Sequence, residues 1–198
     1  MLSEDWDAKF AASDFLFTDR PNQTLVAEVA GLETGHALDL GAGQGRNAVW
    51  LAAQGWQVTA VDFSQVGLAQ AADLADAKGV ELSFVLADAV DWTPPVNAFD
   101  LVLVCYLQLP AAELRGVLTG AAAAVASGGT MLVIGHDRDN LTRGTGGPQD
   151  PDVLYTVDEV SQALPGLRIE RAERFDRLVD TELGPTHAID TVVRATRP

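Results

Sequence analysis

The sequence predicts an α/β protein: a doubly wound, mostly parallel seven-stranded sheet with an antiparallel edge strand and helices on both faces. Three observations predict it. Short apolar runs alternate with stretches of helical periodicity, glycines and prolines punctuate the joins, and the last two strand-like runs follow each other with no helix between them. The 198 residues, 47% of them hydrophobic, suit a single domain spanning 1–198.

The acid-rich opening, Met1 to Gly31, holds Trp6, Phe10, Phe15 and Phe17 ahead of the helical TLVAEVAG, and reads as a lid outside the sheet. Five strands are expected next: HALDL (36–40), WQVTAVD (56–62), LSFVLA (82–87), FDLVLV (99–104) and TMLVIGH (130–136). Between them fall helices over 45–54, ended by Gly55, over 64–78, with Ser64 as N-cap and Gly79 as stop, and over 110–126. The last carries Leu114, Val117, Leu118, Ala121 and Val125 on one face and is expected to stop at Gly128 and Gly129. The stretch 138–151, RDNLTRGTGGPQDP, is too long and glycine-rich for a plain connector and reads as a flexible loop beside the site. Thr156 and Glu159 have capping-box spacing for one more helix, closed by Pro165. LRIERAERF (167–175) and HAIDTVVRA (187–195) then form a strand pair returning at Gly184-Pro185.

Composition removes several classes of function. The first twenty residues carry five acids and no basic segment leading an apolar core, so no secretory signal is expected. No run approaches the roughly 18 to 20 apolar residues of a membrane span. Cys105 is the single cysteine, which excludes an internal disulfide and a multi-cysteine zinc site and suits a reducing cytoplasm. The three histidines, His36, His136 and His187, lack ligand spacing, so no metal is expected. With 28 acidic against 13 basic residues, the net charge of -15 repels polyanions, so neither nucleic acid nor a membrane surface is an expected partner. The oligomeric state is left at monomer or homodimer.

The informative stretch is ALDLGAGQGRNAVW (37–50). Asp39 and Leu40 close the first strand, and Gly41, Gly43 and Gly45 make a G-x-G-x-G turn into the first helix, where bare backbone lets a ligand approach. Asp62 ends the second strand, where a carboxylate can accept hydrogen bonds from ribose hydroxyls. A dinucleotide site would space its glycines G-x-G-x-x-G for a pyrophosphate; here the third comes one place early and Asp39 precedes the turn, which suits a ligand with a cationic amine and no phosphate.

These residues, in LDLGAGQGRNAVWLAAQGWQVTAVDFS, LADAVDW and FDLVLVCYLQLP, resemble the Rossmann-like, class I S-adenosylmethionine-dependent methyltransferases. The resemblance covers most of the chain. GRNAVWLA and YLQLP are similar to the small-molecule branch that includes tellurite-resistance and thiopurine methyltransferases, the former being nearer. It implies S-adenosyl-L-methionine as cofactor and S-adenosyl-L-homocysteine as product. Gly41, Ala42 and Gly43 would run beneath the methionine portion with Asp39 toward its amino end, Asp62 would hold the ribose and Phe63 would pack beside the adenine. Asp88, flanked by Ala87 and Ala89, would read the adenine amino group, and Cys105 and Tyr106 would close the methionine side, where acceptors sit.

Cys105 reads as a pocket-lining residue rather than a nucleophile. His136, at the end of the fifth strand, is the candidate to deprotonate or orient a small-molecule acceptor, with a structural role weighed equally. Arg46 and Arg143 read as surface charges or as contacts to an anionic acceptor, and Trp6, Phe10 and Tyr155 as packing residues or as closure over a ligand. The expected activity is in-line methyl transfer, by alignment and exclusion of water. Two rivals are a non-catalytic cofactor-binding sensor and a nicotinamide-dependent oxidoreductase, the latter disfavoured by the glycine spacing and Asp39.

Overall fold

The computed structural model describes residues 3–13, 15, 16, 18–181 and 184–198; Asp14 and Phe17 of the opening segment lie outside them. Two N-terminal helices, α1 (Ser3–Ala11) and α2 (Gln23–Glu28), precede the sheet. There follow β1 (His36–Leu40), α3 (Arg46–Ala53), β2 (Gln57–Asp62), α4 (Gln65–Lys78), β3 (Ser83–Leu86), β4 (Phe99–Cys105), α5 (Ala111–Ala124) and β5 (Val125–His136). The chain ends with α6 (Asn140–Arg143), a 3-10 turn (Pro151–Val153), α7 (Val157–Gln162), β6 (Arg168–Thr181) and β7 (Gly184–Thr196).

The seven strands lie in the order β3-β2-β1-β4-β5-β7-β6. The first five are parallel, and β7 runs antiparallel to both neighbours, β5 and β6. The reversed strand is therefore one place in from the edge. The order of winding switches between β1 and β4, which opens a crevice at their carboxyl ends.

Alternation along the strands divides the core into two layers. Leu38, Leu40, Val102, Val104, Met131 and Val133 face α5 and α7, meeting Leu114, Leu118, Ala121 and Val160. Ala37, Leu101, Leu103, Leu132 and Ile134 face the other way, onto Leu25 of α2 and Ala48 and Leu51 of α3. The same alternation places Asp39 on the α3 side of β1, where it is buried.

Local signals explain most element ends. The Ser64 side chain accepts from Gly67 N–H, Gly79 closes α4 in the left-handed region, and Thr156 with Glu159 forms the expected capping box. Two ends differ from expectation. Helix α5 does not run on to the glycines: the chain passes straight into β5 at Val125. The distant Arg197 donates to Ala122 O at 2.6 Å and Val125 O at 2.7 Å, satisfying carbonyls at that helix end. The terminal hairpin is also longer than its apolar pattern, pairing from Arg168↔Thr196 out to Thr181↔Gly184. Because His136, the last residue of β5, pairs with Asp190, the β7 residues before Asp190 continue with β6 alone and project past the carboxyl edge of the sheet. Among the described residues no helix is long and apolar enough to cross a membrane.

Candidate active site

The five parallel strands bring Asp39, Asp62, Ala87, Cys105 and His136 to one edge of the sheet, each at a strand's carboxyl end or one residue beyond. The glycine turn fills the centre. Gly41, Gly43 and Gly45 all have positive φ (81°, 53° and 77°), and a side chain would clash at Gly45 and be tightly crowded at Gly41 and Gly43. A Cβ on Gly45 would come 2.6 Å from that of Ala71, so this glycine sets the packing of α3 on α4. On Gly43 it would meet the Phe10 ring at 3.3 Å, and on Gly41 it would meet Leu107 at 3.1 Å.

Asp39 is 1% exposed, and neither carboxylate oxygen has a hydrogen-bond partner of good geometry. Burial first, then the charge of Asp62, pushes its carboxyl up to about 7; Arg46 and the Ala48 N–H oppose this only partly. Asp62 is different. Its Oδ2 accepts Gly43 N–H at 2.7 Å and its Oδ1 accepts Ser64 N–H at 2.9 Å, so it ties the glycine turn to the head of α4. Burial still leaves it above the usual carboxylate range. Each carboxylate oxygen keeps a second lone pair for a hydroxyl.

Beyond β2, Phe63 is half-buried, and Ala87 N–H reaches Asp62 O at 3.0 Å, holding the end of β3 against β2. Asp88 is exposed and accepts Val90 N–H at 2.9 Å, while Ala87 and Ala89 pack on the α5-side core. Burial pushes the Cys105 thiol up to about 12, which keeps it neutral and poorly suited to act as a nucleophile.

The N-terminal segment is seated on this half of the site. Asp7 accepts hydrogen bonds from Ser64 Oγ and, at 3.1 Å, from Val66 N–H at the start of α4. Phe10 is buried against Gly43 and Gly67. Gln44 Oε1 accepts Leu16 N–H at 2.8 Å, and Gln70 Nε2 donates to Phe10 O at 3.1 Å. Trp6 stacks on Phe10 at 5.4 Å rather than on the turn itself.

The second half gathers around Asp190 of β7, which is fully buried. Tyr106 donates its hydroxyl to Asp190 Oδ2 at 2.7 Å, and Arg177 Nε donates to the same oxygen at 2.8 Å. His136 Nδ1 stands 3.2 Å from Asp190 Oδ1, short of an aligned hydrogen bond in either atom. Asn22 Nδ2 reaches the Tyr106 hydroxyl at 3.5 Å, and the Tyr106 and His136 rings lie 4.9 Å apart. His136 and Arg177 hold the Asp190 carboxyl below its ordinary value against the effect of burial, whereas burial and Asp190 raise the Tyr106 hydroxyl, which stays protonated. Tyr106 has φ of 57°, a left-handed conformation that costs a non-glycine residue roughly 1–2 kcal/mol.

The segment after His136 is built rather than bare. Asp137 and Tyr155 bridge its two ends, and α6 lies inside it. Buried Asn140 donates to Gly146 O at 2.9 Å and accepts Ile189 N–H at 2.8 Å, fastening the segment to the hairpin. Arg138 pairs with Glu159, and Arg143 pairs with Asp139 on the surface. The Arg46 guanidinium lies 6.0 Å from the Tyr106 ring centroid, whereas Tyr155 is a core residue donating to Ile134 O at 3.3 Å. Among the described residues no three His, Cys, Asp or Glu side chains converge as a metal site.

Sequence reading missed Asn22, Arg177 and Asp190, and gave Asn140 no role. One signal was present for Asp190: an acid inside the apolar run AIDTVV, where a buried strand should carry none without partners.

The family described as "Methyltransferase domain" matches residues 37–129, from β1 through the start of β5. No curated protein matches the sequence. A structure described as "Conversion of a Disulfide Bond into a Thioacetal Group during Echinomycin Biosynthesis" is 25% identical, with TM-score 0.78 over 100% of this chain and 92% of the other. N-methyltransferase NodS from Bradyrhizobium japonicum WM9, in complex with S-adenosyl-L-homocysteine, is 15% identical, with TM-score 0.76 over 99% and 98%. TehB from Haemophilus influenzae is 16% identical, with TM-score 0.73 over 89% of this chain and 62% of that one. The domain match falls on the glycine turn and the strands around it, and the fold likeness extends over the whole chain: residues 37–129 match a methyltransferase domain, and the chain as a whole is similar in fold to solved methyltransferases.

Proposed function

We propose that the chain methylates a small-molecule acceptor in the crevice between the glycine turn and the Asp190 cluster. The observation that carries the cofactor half is Asp39: a buried carboxylate with two unpartnered oxygens beside the turn suits an ammonium group. S-Adenosylmethionine supplies an already activated methyl, whose bond to sulfur breaks with its electron pair going to sulfur to leave neutral S-adenosylhomocysteine.

The protein's task is to bind, orient and exclude water. Asp39 takes the amino end, Gly41, Ala42 and Gly43 give the methionine portion bare backbone, and Asp62 accepts from the ribose with the lone pairs that Gly43 and Ser64 leave free. Phe63 flanks the adenine, and Asp88 with Ala87 and Ala89 borders its edge. Cys105 and Tyr106 wall the side where the methyl is transferred, with His136 beyond them on the acceptor's side. The seated N-terminal segment acts as the lid and the 138–151 segment as the acceptor-side rim. The echinomycin-biosynthesis structure supports a small-molecule acceptor. The net charge of -15 argues against nucleic acid or anionic membrane as partner; the single cysteine, Cys105, supports a reducing cytoplasm, and we leave the assembly at monomer or homodimer.

Calorimetry with S-adenosylhomocysteine, with NADH titrated in parallel, tests the pocket. Binding of the former alone is expected, weakening as pH falls through about 7 because Asp39 takes up a proton. Binding of NADH alone, or of neither, overturns the assignment. Tight binding with no product from a broad acceptor panel would favour the sensor instead.

A further inference from the structure

We infer that Asp190 is the positioning residue of the acceptor site: it fixes the His136 ring through Nδ1, leaving Nε2 to take a proton, so the acceptor is a protic nucleophile, a hydroxyl, thiol or N–H. This rests on the methyl-transfer reading above.

The argument starts from which Asp190 oxygen does what. Tyr106 Oη and Arg177 Nε both donate to Oδ2, at 2.7 and 2.8 Å. Oδ1 is buried and has no partner closer in role than His136 Nδ1 at 3.2 Å, and Nδ1 is itself buried without another partner. A carboxylate is acceptor only, so the nitrogen beside it carries the proton. In the neutral ring the other nitrogen, Nε2, then holds the lone pair. The ring cannot easily turn away, being packed 4.9 Å from Tyr106, whose own hydroxyl is fixed to the same carboxylate.

The segment beside the Nε2 edge carries no side chain at Gly147, where a Cβ would stand 2.8 Å from Nε2, and Nε2, unlike Nδ1, is not a buried atom without a partner. The His136 side chain is 13% exposed although its Nδ1 is buried, so the exposed part of the ring lies elsewhere than the Asp190 side. In the transfer step a lone pair of the acceptor atom forms the new bond to the methyl carbon, and the acceptor's proton passes to His136 Nε2, from which water removes it after product leaves. Asp190 stays ionised throughout, as its lowered carboxyl requires, and stabilises the imidazolium.

The test needs no acceptor. Protein labelled with 15N-histidine is observed in the imidazole region above the range where the ring is charged. Exposed His36 and His187 serve as internal references, and His136→Gln assigns the third signal. The expected result is a Nδ1–H tautomer for His136. A Nε2–H tautomer overturns the inference, since that edge would then have no lone pair to receive a proton. Asp190→Asn sharpens the test. Arg177 can only donate, so the amide oxygen must stay at the Oδ2 position, and the amide NH2 turns to Nδ1 and drives His136 to the Nε2–H form. An unchanged Nδ1–H tautomer in a folded Asp190→Asn protein also overturns it; where that variant fails to fold, the wild-type tautomer decides alone. Calorimetry with S-adenosylhomocysteine on the same samples separates the two readings. Cofactor binding with a Nε2–H His136 removes this inference and leaves the pocket standing, whereas no cofactor binding removes the pocket whatever the tautomer.

Discussion

Asp39 and Asp190 are both buried aspartates at the carboxyl edge of one sheet, 1% and 0% exposed, yet they are in opposite electrostatic states. Asp39 has no well-aligned hydrogen-bond partner, and burial raises its carboxyl to about 7 against the weaker pull of Arg46 and the Ala48 N–H. Asp190 is held by His136, Arg177 and Tyr106, and together they lower it despite burial. Burial alone therefore does not decide the charge of a carboxylate; what the surrounding chain donates to it does. On the cofactor side the protein leaves a carboxylate for a ligand's cation to complete, and on the acceptor side it completes the carboxylate itself.

The same conservative change at the two positions should act in opposite directions. Asp39→Asn removes the partner of the cofactor's amine and should weaken S-adenosylhomocysteine binding by about 100-fold, the loss of a charge-assisted contact worth on the order of 3 kcal/mol. It should nevertheless stabilise the ligand-free protein. A carboxyl raised from 3.8 to about 7 binds its proton more tightly folded than unfolded, so wild type loses stability as pH rises across that window. Above it the charged Asp39 costs on the order of 4 kcal/mol, of which a buried, unpartnered amide restores about half, leaving a gain of ~2 kcal/mol. Asp190→Asn reverses the sign of the stability change and leaves the affinity nearly unchanged. Its lowered carboxyl contributes stability that is complete above the ordinary carboxylate range and lost as pH falls below it. The variant should lose about 2 kcal/mol at neutral pH, less than a fully buried pair would because Arg177 is 29% exposed, and keep S-adenosylhomocysteine affinity within about 3-fold. Chemical denaturation at two pH values, with calorimetry, reads all four quantities. Equal signs at the two positions would break the contrast.

That contrast also explains what the sequence made legible. Asp39, Gly41, Gly43 and Asp62 lie within two adjacent β-turn-helix units, so fixed spacing along the chain becomes fixed geometry at the strand ends. The strand runs were legible for the same reason, since burial on both faces makes them continuously apolar. Asn22, Tyr106, His136, Arg177 and Asp190 come from five separate places, and pairings between strands distant in sequence unite most of them: β4 with β5 for Tyr106, β5 with β7 for His136 and Asp190, and β6 with β7 for Arg177. No local spacing encodes such a pairing. The end of α5 was misplaced for a related reason: its last carbonyls are satisfied by Arg197, at the far end of the chain.

A second variant tests whether the lid belongs to the cofactor half alone. Phe10 is 4% exposed and packs on Gly43 and Gly67. Removing a core phenylalanine from an interior costs about 3–5 kcal/mol, but α1 lies outside the sheet and can undock without unfolding it, so global stability should fall by only about 1 kcal/mol. Phe10→Ala should instead speed amide exchange across α1 and the start of α4, where Asp7 holds Val66 N–H, and weaken S-adenosylhomocysteine about 5-fold. The His136 imidazole signal should not move. Unaltered affinity with a loosened α1 would show that the segment packs on the turn without covering the ligand.

Gly147→Ala is the complementary and smaller perturbation, made on the acceptor side. Its φ of 75° is unfavourable for alanine by roughly 1 kcal/mol. The new Cβ would stand 2.6 Å from His136 Cδ2 and 2.8 Å from Nε2, so either the ring or the segment must shift. The ring is restrained by Asp190 and Tyr106, and the segment is restrained by Asn140, which bonds both Gly146 O and Ile189 N–H. Gly147 itself is exposed and on the outer side of that fastening, so the segment should yield first. Stability should then fall by about 1 kcal/mol, the His136 Nε2 resonance should shift while its tautomer is kept, and S-adenosylhomocysteine affinity should stay within about 2-fold. A loss of cofactor affinity larger than that of Phe10→Ala would mean that the two halves of the edge are mechanically one, coupled through the His136 ring and the Tyr106 ring packed on it.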